Sequence, residues 1–434
     1  MPKALFFPSY YGGGFGHVTR CLALAEILRE ARWESAFCLG GSHAQRLEAE
    51  GWQVFQPPWA RHTIPKRLLT WFWQQFHPSP AYLFFSDLGF QVVRDGFHEP
   101  DIVLERMRWA QEVVQAYRPN VLIGDLHLLT WALGTLHNLP VMQIVRSATY
   151  PENPALVWWR SIPSEVQPPD LRPVFNPAFD QLGLPNVRET GDLFAGNLFL
   201  IPSIPEVDPV PDVSPTTHYV GPLVRQSADV NLPDWMPELS SGRPLIYVTV
   251  GGGSDSSQQR DLLKLWFEAF SEAPWDVVIS TGGRRVPKRF RSQGNLRVSS
   301  WIPAGRLIIE RADVVLFHGG YGTMMETVQS GTPSVIFPFH TEQESNGRRL
   351  EQLGMAKVLA PTEVDFRPSH FRWRDQTLTT LSVPRLTRSA EQVREAVSEV
   401  LTKRQYTESA THLRALQAEY DTRRLVLEAL DAVL

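Results

Sequence analysis

Apolar positions along the chain fall into short runs, and stretches of helical spacing separate them. Residues 4–7 form a continuous apolar run of the buried parallel-strand type, and a glycine-rich loop follows over residues 8–16. From His17 the period becomes helical, with Leu22, Ala25 and Leu28 on one face. Residues 36–39 predict a second strand, 43–50 a helix and 52–55 a third strand. Further on, 101–117 predicts a helix, 121–125 a strand ending in an acid, 131–137 a helix and 141–145 a strand. Strands at 198–201 and 218–220 complete the first half. Such alternation predicts a parallel sheet built from βα units.

Two stretches interrupt this pattern. Residues 57–100 are rich in aromatics, among them Trp59, Trp71, Phe72, Trp73 and Phe90, with poor periodicity. They read either as short helices packed on the sheet or as an insertion lining an apolar pocket. Residues 150–186 are Pro-rich and carry Trp158-Trp159, which suggests a second part of the pocket wall. Residues 223–243 are polar, contain Pro233 and Pro237, and read as an interdomain linker. The βα pattern then restarts, with strands at 245–250, 277–280 and 296–299 and a helix at 257–271. Residues 363–386 read as irregular. Helices at 389–402 and 406–433 close the chain, the second bent or broken near Asp421.

The chain has 434 residues, 43% of them hydrophobic, enough for two domains of about 200 residues with full cores. A net charge of −4 gives no basis for a nucleic-acid partner. The two cysteines, Cys21 and Cys38, lie in apolar contexts, so a disulfide framework is not expected and a reducing cytoplasm is. The N-terminus does not read as a signal peptide. No apolar run reaches the length of about 18 residues that would span a membrane.

Most of the chemistry is concentrated between Trp301 and Asn346. A buried-type strand at 314–317 runs straight into His318-Gly319-Gly320, and a helix starts at Tyr321-Gly322-Thr323. Gly331 reads as the cap of that helix, with Pro333 just beyond. A second strand, 334–337, leads to Thr341-x-x-Glu344, a capping-box pattern opening another helix that Gly354 closes. Glycines let the backbone approach a phosphate, and a helix start offers free N–H groups and the positive end of its dipole. The glycine spacing fits neither a P-loop nor a dinucleotide fingerprint. A diphosphate site without a dedicated Lys is the expectation. His318 and Thr323 are candidate donors to it, with Gly252, Gly253 and Ser254 from an opposite glycine loop. No Asp-x-Asp motif or metal-ligand cluster is present in the sequence, so metal-independent chemistry is expected.

Trp301-x-Pro303, His318-Gly319-Gly320, Thr323, Glu326, Gly331-x-Pro333, Pro338, Glu342-Gln343 and Asn346 resemble the nucleotide-sugar signature of family 1 UDP-glycosyltransferases in order and spacing. Ala304 stands where the family usually has Gln, so the base is left as uracil or thymine. The resemblance implies the GT-B fold, an α/β architecture of two Rossmann-like domains facing each other across a cleft. It divides the chain into an acceptor-binding domain (1–222), a linker (223–243), a nucleotide-sugar-binding domain (244–420) and a final helix (421–434) that crosses back to the first domain.

The expected activity is inverting transfer of a hexosyl group from a UDP- or TDP-sugar co-substrate to a hydroxyl of an apolar small molecule, with no cofactor. Residues 12–17 resemble the Gly-His turn of the family, which makes His17 the general base, and Asp125 matches the acid that partners it. Trp301 is expected to stack on the base and the Ile302 backbone to bond it. Glu326 would accept from ribose hydroxyls, and Glu342 and Gln343 would bracket sugar hydroxyls. Two alternatives share the fold. One is a lipid-linked or membrane-surface acceptor, resembling the N-acetylglucosaminyltransferase of peptidoglycan synthesis, with Trp71-Phe72-Trp73 beside Lys66 and Arg67 touching lipid. The other is a non-catalytic nucleotide-sugar-binding helper.

Overall fold

The computed structural model describes residues 1–10, 15–60, 80–152, 155–211, 213–225, 233–236, 242–251, 256–303 and 305–432. In chain order the first half contains β1 (Lys3–Pro8), α1 (Gly16–Glu30), β2 (Glu34–Cys38), α2 (Ser42–Ala49), β3 (Gln53–Phe55), β4 (Tyr82–Phe84) and α3 (Gly89–Arg94). It continues through α4 (Pro100–Tyr117), β5 (Val121–Asp125), α5 (Thr130–His137), β6 (Val141–Ile144), α6 (Arg172–Leu182), β7 (Leu198–Ile201) and β8 (Thr217–Tyr219). Seven of these strands form one parallel sheet in the order β3-β2-β1-β5-β6-β7-β8. Its inner strands are buried along their length because helices cover both faces, which is why they read as continuous apolar runs.

The second half repeats the plan with β9 (Leu245–Thr249), α7 (Ser256–Phe270), β10 (Asp276–Ser280), β11 (Leu296–Ser299), α8 (Gly305–Ile309), β12 (Val314–Phe317), α9 (Tyr321–Ser330), β13 (Ser334–Ile336), α10 (Thr341–Gln352) and β14 (Ala356–Val358). Its six strands are parallel, in the order β11-β10-β9-β12-β13-β14. Strand order reverses between β1 and β5 in one sheet and between β9 and β12 in the other. Crevices open at the carboxyl ends of strands at such switch points. His17 and Asp125 sit at the first reversal and His318 at the second.

Residues 363–386, expected to be irregular, form an antiparallel hairpin of β15 (Arg367–Trp373) and β16 (Gln376–Val383) instead. β16 pairs with β4, giving a third sheet that joins the two halves. At the hairpin tip, Trp373 and Leu378 enter the core of the first domain, and the Trp373 indole donates to the Phe97 carbonyl at 3.1 Å. The sequence concealed this hairpin because its turn is Arg374-Asp375, with Arg374 at φ 57°, rather than Asn-Gly, and its strands are largely polar.

Two further expectations change. Within residues 150–186 lies α6, capped by Gly183, which packs Val174, Phe175 and Phe179 into the first core despite Pro177 in its interior. Trp158 reaches the second domain, its Nε1–H donating to Ser345 Oγ on α10 at 3.0 Å. The Thr341-Glu344 capping box also does not form. α10 has no side-chain cap, and Thr341 Oγ1 accepts the Phe85 N–H at 2.7 Å while Glu344 accepts the Tyr82 hydroxyl at 2.6 Å. Both residues fasten α10 to the β4 segment.

The chain ends in α11 (Ala390–Thr402), α12 (Arg404–Ala418) and α13 (Thr422–Asp431), with Asp421 capping the last through the Arg424 N–H at 3.0 Å. Val426, Ala429 and Leu430 of α13 pack into the first sheet's core. Cys21 and Cys38 are free and buried. Among the described residues no helix is long and apolar enough to cross a membrane.

Candidate active site

Parallel pairing of β1 with β5 sets Pro8 opposite Asp125, so the acid ends its strand beside the segment that leads into α1. His17 is the second residue of α1. Its Nδ1–H donates to Asp125 Oδ1 at 2.7 Å, which leaves Nε2 as the basic ring nitrogen. Arg20, one turn further on, grips the same carboxylate with Nε on Oδ2 at 2.9 Å and Nη2 on Oδ1 at 2.6 Å. Nη2 also lies 2.9 Å from His17 Nδ1, but both atoms are donors, so that approach reflects their shared acceptor. Burial would raise the pKa of Asp125. Arg20 and then His17 outweigh it and hold the acid at about 2, ionised throughout the neutral range.

The opposite wall is built on β12 and α9. His318 fills the space between two glycines, because a Cβ on Gly251 or Gly320 would strike its ring. Gly251 is also at φ 64°. Gly319 is at φ 86°, and a side chain there would run into the Gln343 carbonyl. Burial, aided by His340, lowers the His318 pKa to about 4, so the ring is neutral and offers one N–H rather than a charge. Its buried Nδ1 has no hydrogen-bond partner among the described residues. No side chain caps the start of α9, so its first N–H groups remain available to an anion. Thr323 is half-buried in that first turn, and Glu326 lies one turn on. Burial raises the Glu326 pKa to about 7, against the pull of Arg306.

Trp301 is 49% exposed, with the Arg46 guanidinium of α2 5.9 Å from its ring centre. Ile302 is buried and its carbonyl accepts the Gly305 N–H at 3.2 Å. Glu342 and Gln343 open α10. Gln343 Oε1 accepts the Phe339 N–H at 2.8 Å, so its amide N–H groups are the part left for a ligand. Glu342 Oε1 accepts from Arg146 Nη1 at 2.6 Å, across the cleft. Burial opposes the charge of Glu342, but Arg146, His340 and His17 together pull its pKa well below the usual carboxylate range. Arg20, which holds the carboxylate partner of His17, and Arg146, which holds Glu342, both lie against the Tyr321 ring, so the candidate base and the candidate sugar contact share one cleft. Asn346 serves the scaffold, donating to the Gly319 carbonyl at 2.9 Å.

Gly252, Gly253, Ser254 and Ala304 lie outside the described residues, as do Gly12 to Gly14 and the Trp71-Phe72-Trp73 cluster with Lys66 and Arg67. The cavity among Phe7, Tyr10, Trp59, Phe97, Trp109 and Leu128 measures about 20 Å³. Sequence reading missed Arg20, Arg146 and the side chain of Tyr321. Arg20 carried a signal: three residues after His17, it shares that residue's helical face, and a buried Arg requires a carboxylate. Arg146 directly follows a buried strand, where a charge needs a partner.

Two parallel-sheet domains and a cleft flanked by a His–Asp pair and a glycine turn define the GT-B fold, which the solved glycosyltransferase structures that superpose on this chain share. Residues 241–369 match the glycosyltransferase family 28 C-terminal domain, which takes in the whole Trp301–Asn346 stretch. The chain is 33% identical over 168 residues to a PGL/p-HBAD biosynthesis glycosyltransferase of Mycobacterium tuberculosis, a match spanning 39% of this chain and 37% of that relative. It is 26% identical over 369 residues to a PGL/p-HBAD biosynthesis rhamnosyltransferase of Mycobacterium bovis, covering 80% of this chain and 74% of the relative. Among solved structures, the spinosyn rhamnosyltransferase SpnG complexed with spinosyn aglycone superposes with a TM-score of 0.66 at 18% identity over 99% of both chains. SpnG has also been solved with thymidine diphosphate.

Proposed function

We propose that the protein moves a hexosyl group from a UDP- or TDP-sugar to a hydroxyl of an apolar small molecule, with inversion at the anomeric carbon. The observation that carries this is the 2.7 Å His17–Asp125 pair in the same cleft as the uncapped start of α9. His17 Nε2 takes the acceptor proton as the acceptor oxygen attacks the anomeric carbon and the bond to the diphosphate breaks. Asp125 holds the tautomer and stabilises the imidazolium that forms. Negative charge gathering on the departing diphosphate meets the N–H groups of α9, the neutral His318 ring and the Thr323 hydroxyl. Trp301 and Ile302 take the base, Glu326 the ribose, and Glu342 and Gln343 the sugar. A complex of SpnG with thymidine diphosphate supports TDP-sugars as donors alongside UDP-sugars.

The test is a panel of UDP- and TDP-sugars, read first by thermal shift and then by product formation. Transfer is expected to persist in EDTA, and proton NMR is expected to show a β-glycoside from an α-linked donor. Activity abolished by EDTA and restored by magnesium would remove the metal-free mechanism, and an α-linked product would remove the single displacement.

Glu326 gives this reading a pH signature. A carboxylate accepts from ribose hydroxyls better than a protonated acid does. Nucleotide affinity is therefore expected to fall as pH drops through about 7, by up to about tenfold per unit, and Glu326→Gln is expected to flatten the profile. The ligand-free protein should respond in the opposite sense. With its pKa raised, the folded state binds the proton more tightly than the unfolded chain, so stability declines as pH rises from 4.5 through about 7. Glu326→Gln should then raise Tm above about pH 8 and leave it unchanged near pH 5. A binding profile of identical slope in wild type and Glu326→Gln would take Glu326 out of the ribose site.

A further inference from the structure

Tyr321 is the first residue of α9 and directly follows Gly320 of the glycine turn. Its ring belongs to the second domain, yet Arg20, Arg146, Pro202 and Asp208, polar neighbours of that side chain among the described residues, come from the first. The guanidinium carbon of Arg20 lies 5.2 Å from the ring centre and that of Arg146 lies 4.9 Å from it. The hydroxyl donates to Asp208 Oδ2 at 3.1 Å and approaches the Pro202 carbonyl at 3.3 Å. All three side chains are buried, with Tyr321 and Arg20 at 6% and Arg146 at 3% exposure. Each arginine also holds one candidate functional carboxylate. Arg20 holds Asp125, the partner of His17, and Arg146 holds Glu342, the candidate sugar contact. One aromatic ring is thus the common platform for the base and for the donor.

Burying two cations and a hydroxyl is an expensive way to pack two domains together, and apolar side chains of similar volume would do it at lower cost. What the arrangement adds is geometry. A guanidinium is planar and can stack on a ring while its fork grips a carboxylate, which an ammonium cannot do. Glycosyl transfer between domains needs such geometry, because the base rides on one sheet and the anomeric carbon on the other. A misplacement of about 1 Å costs on the order of a hundredfold.

Resting on the transferase reading, we propose that Tyr321, Arg20 and Arg146 are positioning residues. The Arg20–Tyr321–Arg146 cluster sets the distance and angle between the His17–Asp125 pair and the donor. None of the three touches the reacting atoms.

The experiment uses the full chain, with TDP-rhamnose and UDP-glucose as donors. The acceptor is 4-methylumbelliferone, a phenol that ionises within the assay range. Calorimetric affinity for UDP and TDP and the Tm are measured in parallel. Tyr321→Leu is expected to keep nucleotide affinity within about twofold and to lose about ten- to a hundredfold in kcat. Tyr321→Phe keeps the ring against both arginines and is expected to recover most of that loss. Arg20→Lys is expected to lose most near pH 6 and least near pH 9, where the ionised phenol no longer needs a well-placed base. Tyr321→Leu with kcat within about twofold of wild type overturns the proposal, as does a loss that Phe does not reduce. Should Tyr321→Leu fail to fold, Arg20→Lys decides, and a loss of equal size at both pH values overturns it. A wild type inactive with both donors would overturn the transferase reading, and this proposal with it. An active wild type with unaffected variants overturns this proposal alone.

Discussion

His17→Ala is expected to lose about 10²–10⁴-fold in kcat while binding UDP or TDP as tightly as wild type. The first half follows from the removal of the base, and the second from its location. His17 stands on α1, whereas the proposed nucleotide contacts stand on the β11 to α10 stretch of the other domain. Asp125→Asn is expected to lose comparably or less in kcat, since the amide still orients the ring but does not stabilise imidazolium. It carries a second cost that His17→Ala does not. Asp125 is fully buried and takes both forks of Arg20, so the neutral amide strands a buried guanidinium. Breaking such a pair costs about 3–5 kcal/mol, so Asp125→Asn should lower Tm where His17→Ala does not. The two losses are expected to combine far below their product in kcat/KM, because the residues act as a unit. A double-mutant cycle, with nucleotide affinity and Tm as controls, makes the measurement. Multiplicative losses would show that His17 and Asp125 work independently. Near-normal transfer by His17→Ala to an aliphatic alcohol would place the base elsewhere.

Trp373→Ala is expected to destabilise the protein by about 3–5 kcal/mol, the range for deleting a large buried aromatic. The indole is 1% exposed and sits in the core of a domain that its own segment does not belong to. Its loss removes packing there together with the bond to the Phe97 carbonyl. Because β16 also pairs with β4, this hairpin ties the second domain to the first, and the variant should unfold in separated steps rather than in one. Denaturant unfolding followed by tryptophan fluorescence and by far-ultraviolet dichroism checks both points. A single transition at the wild-type midpoint would mean that the hairpin contributes nothing to holding the domains together.

The candidate site was legible in part. The pair His17 and Asp125 was read from a resemblance, of residues 12–17 to the family's Gly-His turn and of Asp125 to the acid that partners it, and the structure brings them within 2.7 Å. The run from Trp301 to Asn346 was read from its glycine and helix-start pattern and from its resemblance to a nucleotide-sugar signature, and the structure gives several of its residues reasons. Gly320 and Gly251 make room for the His318 ring, and Gly319 for the backbone of α10. By contrast, the Thr341-x-x-Glu344 pattern fitted a capping box and turned out to bind Phe85 and Tyr82. A hydroxyl and a carboxylate at that spacing suit a local helix cap and a distant strand equally well, and sequence does not distinguish them.

What the sequence determined by itself is the alternation of strand and helix, the two parallel sheets and the glycine turn where chemistry gathers. Those features follow from sterics and side-chain period within a few residues, so local pattern carries them. Only the tertiary structure decided which distant groups meet. Arg20 on Asp125, Arg146 on Glu342, Tyr321 against both arginines and the Arg367–Val383 hairpin in a foreign core are pairings across many residues of chain. A buried charge or hydroxyl states in the sequence that it needs a partner, because burial without one is costly. Which partner it finds depends on how two separately built sheets are brought face to face.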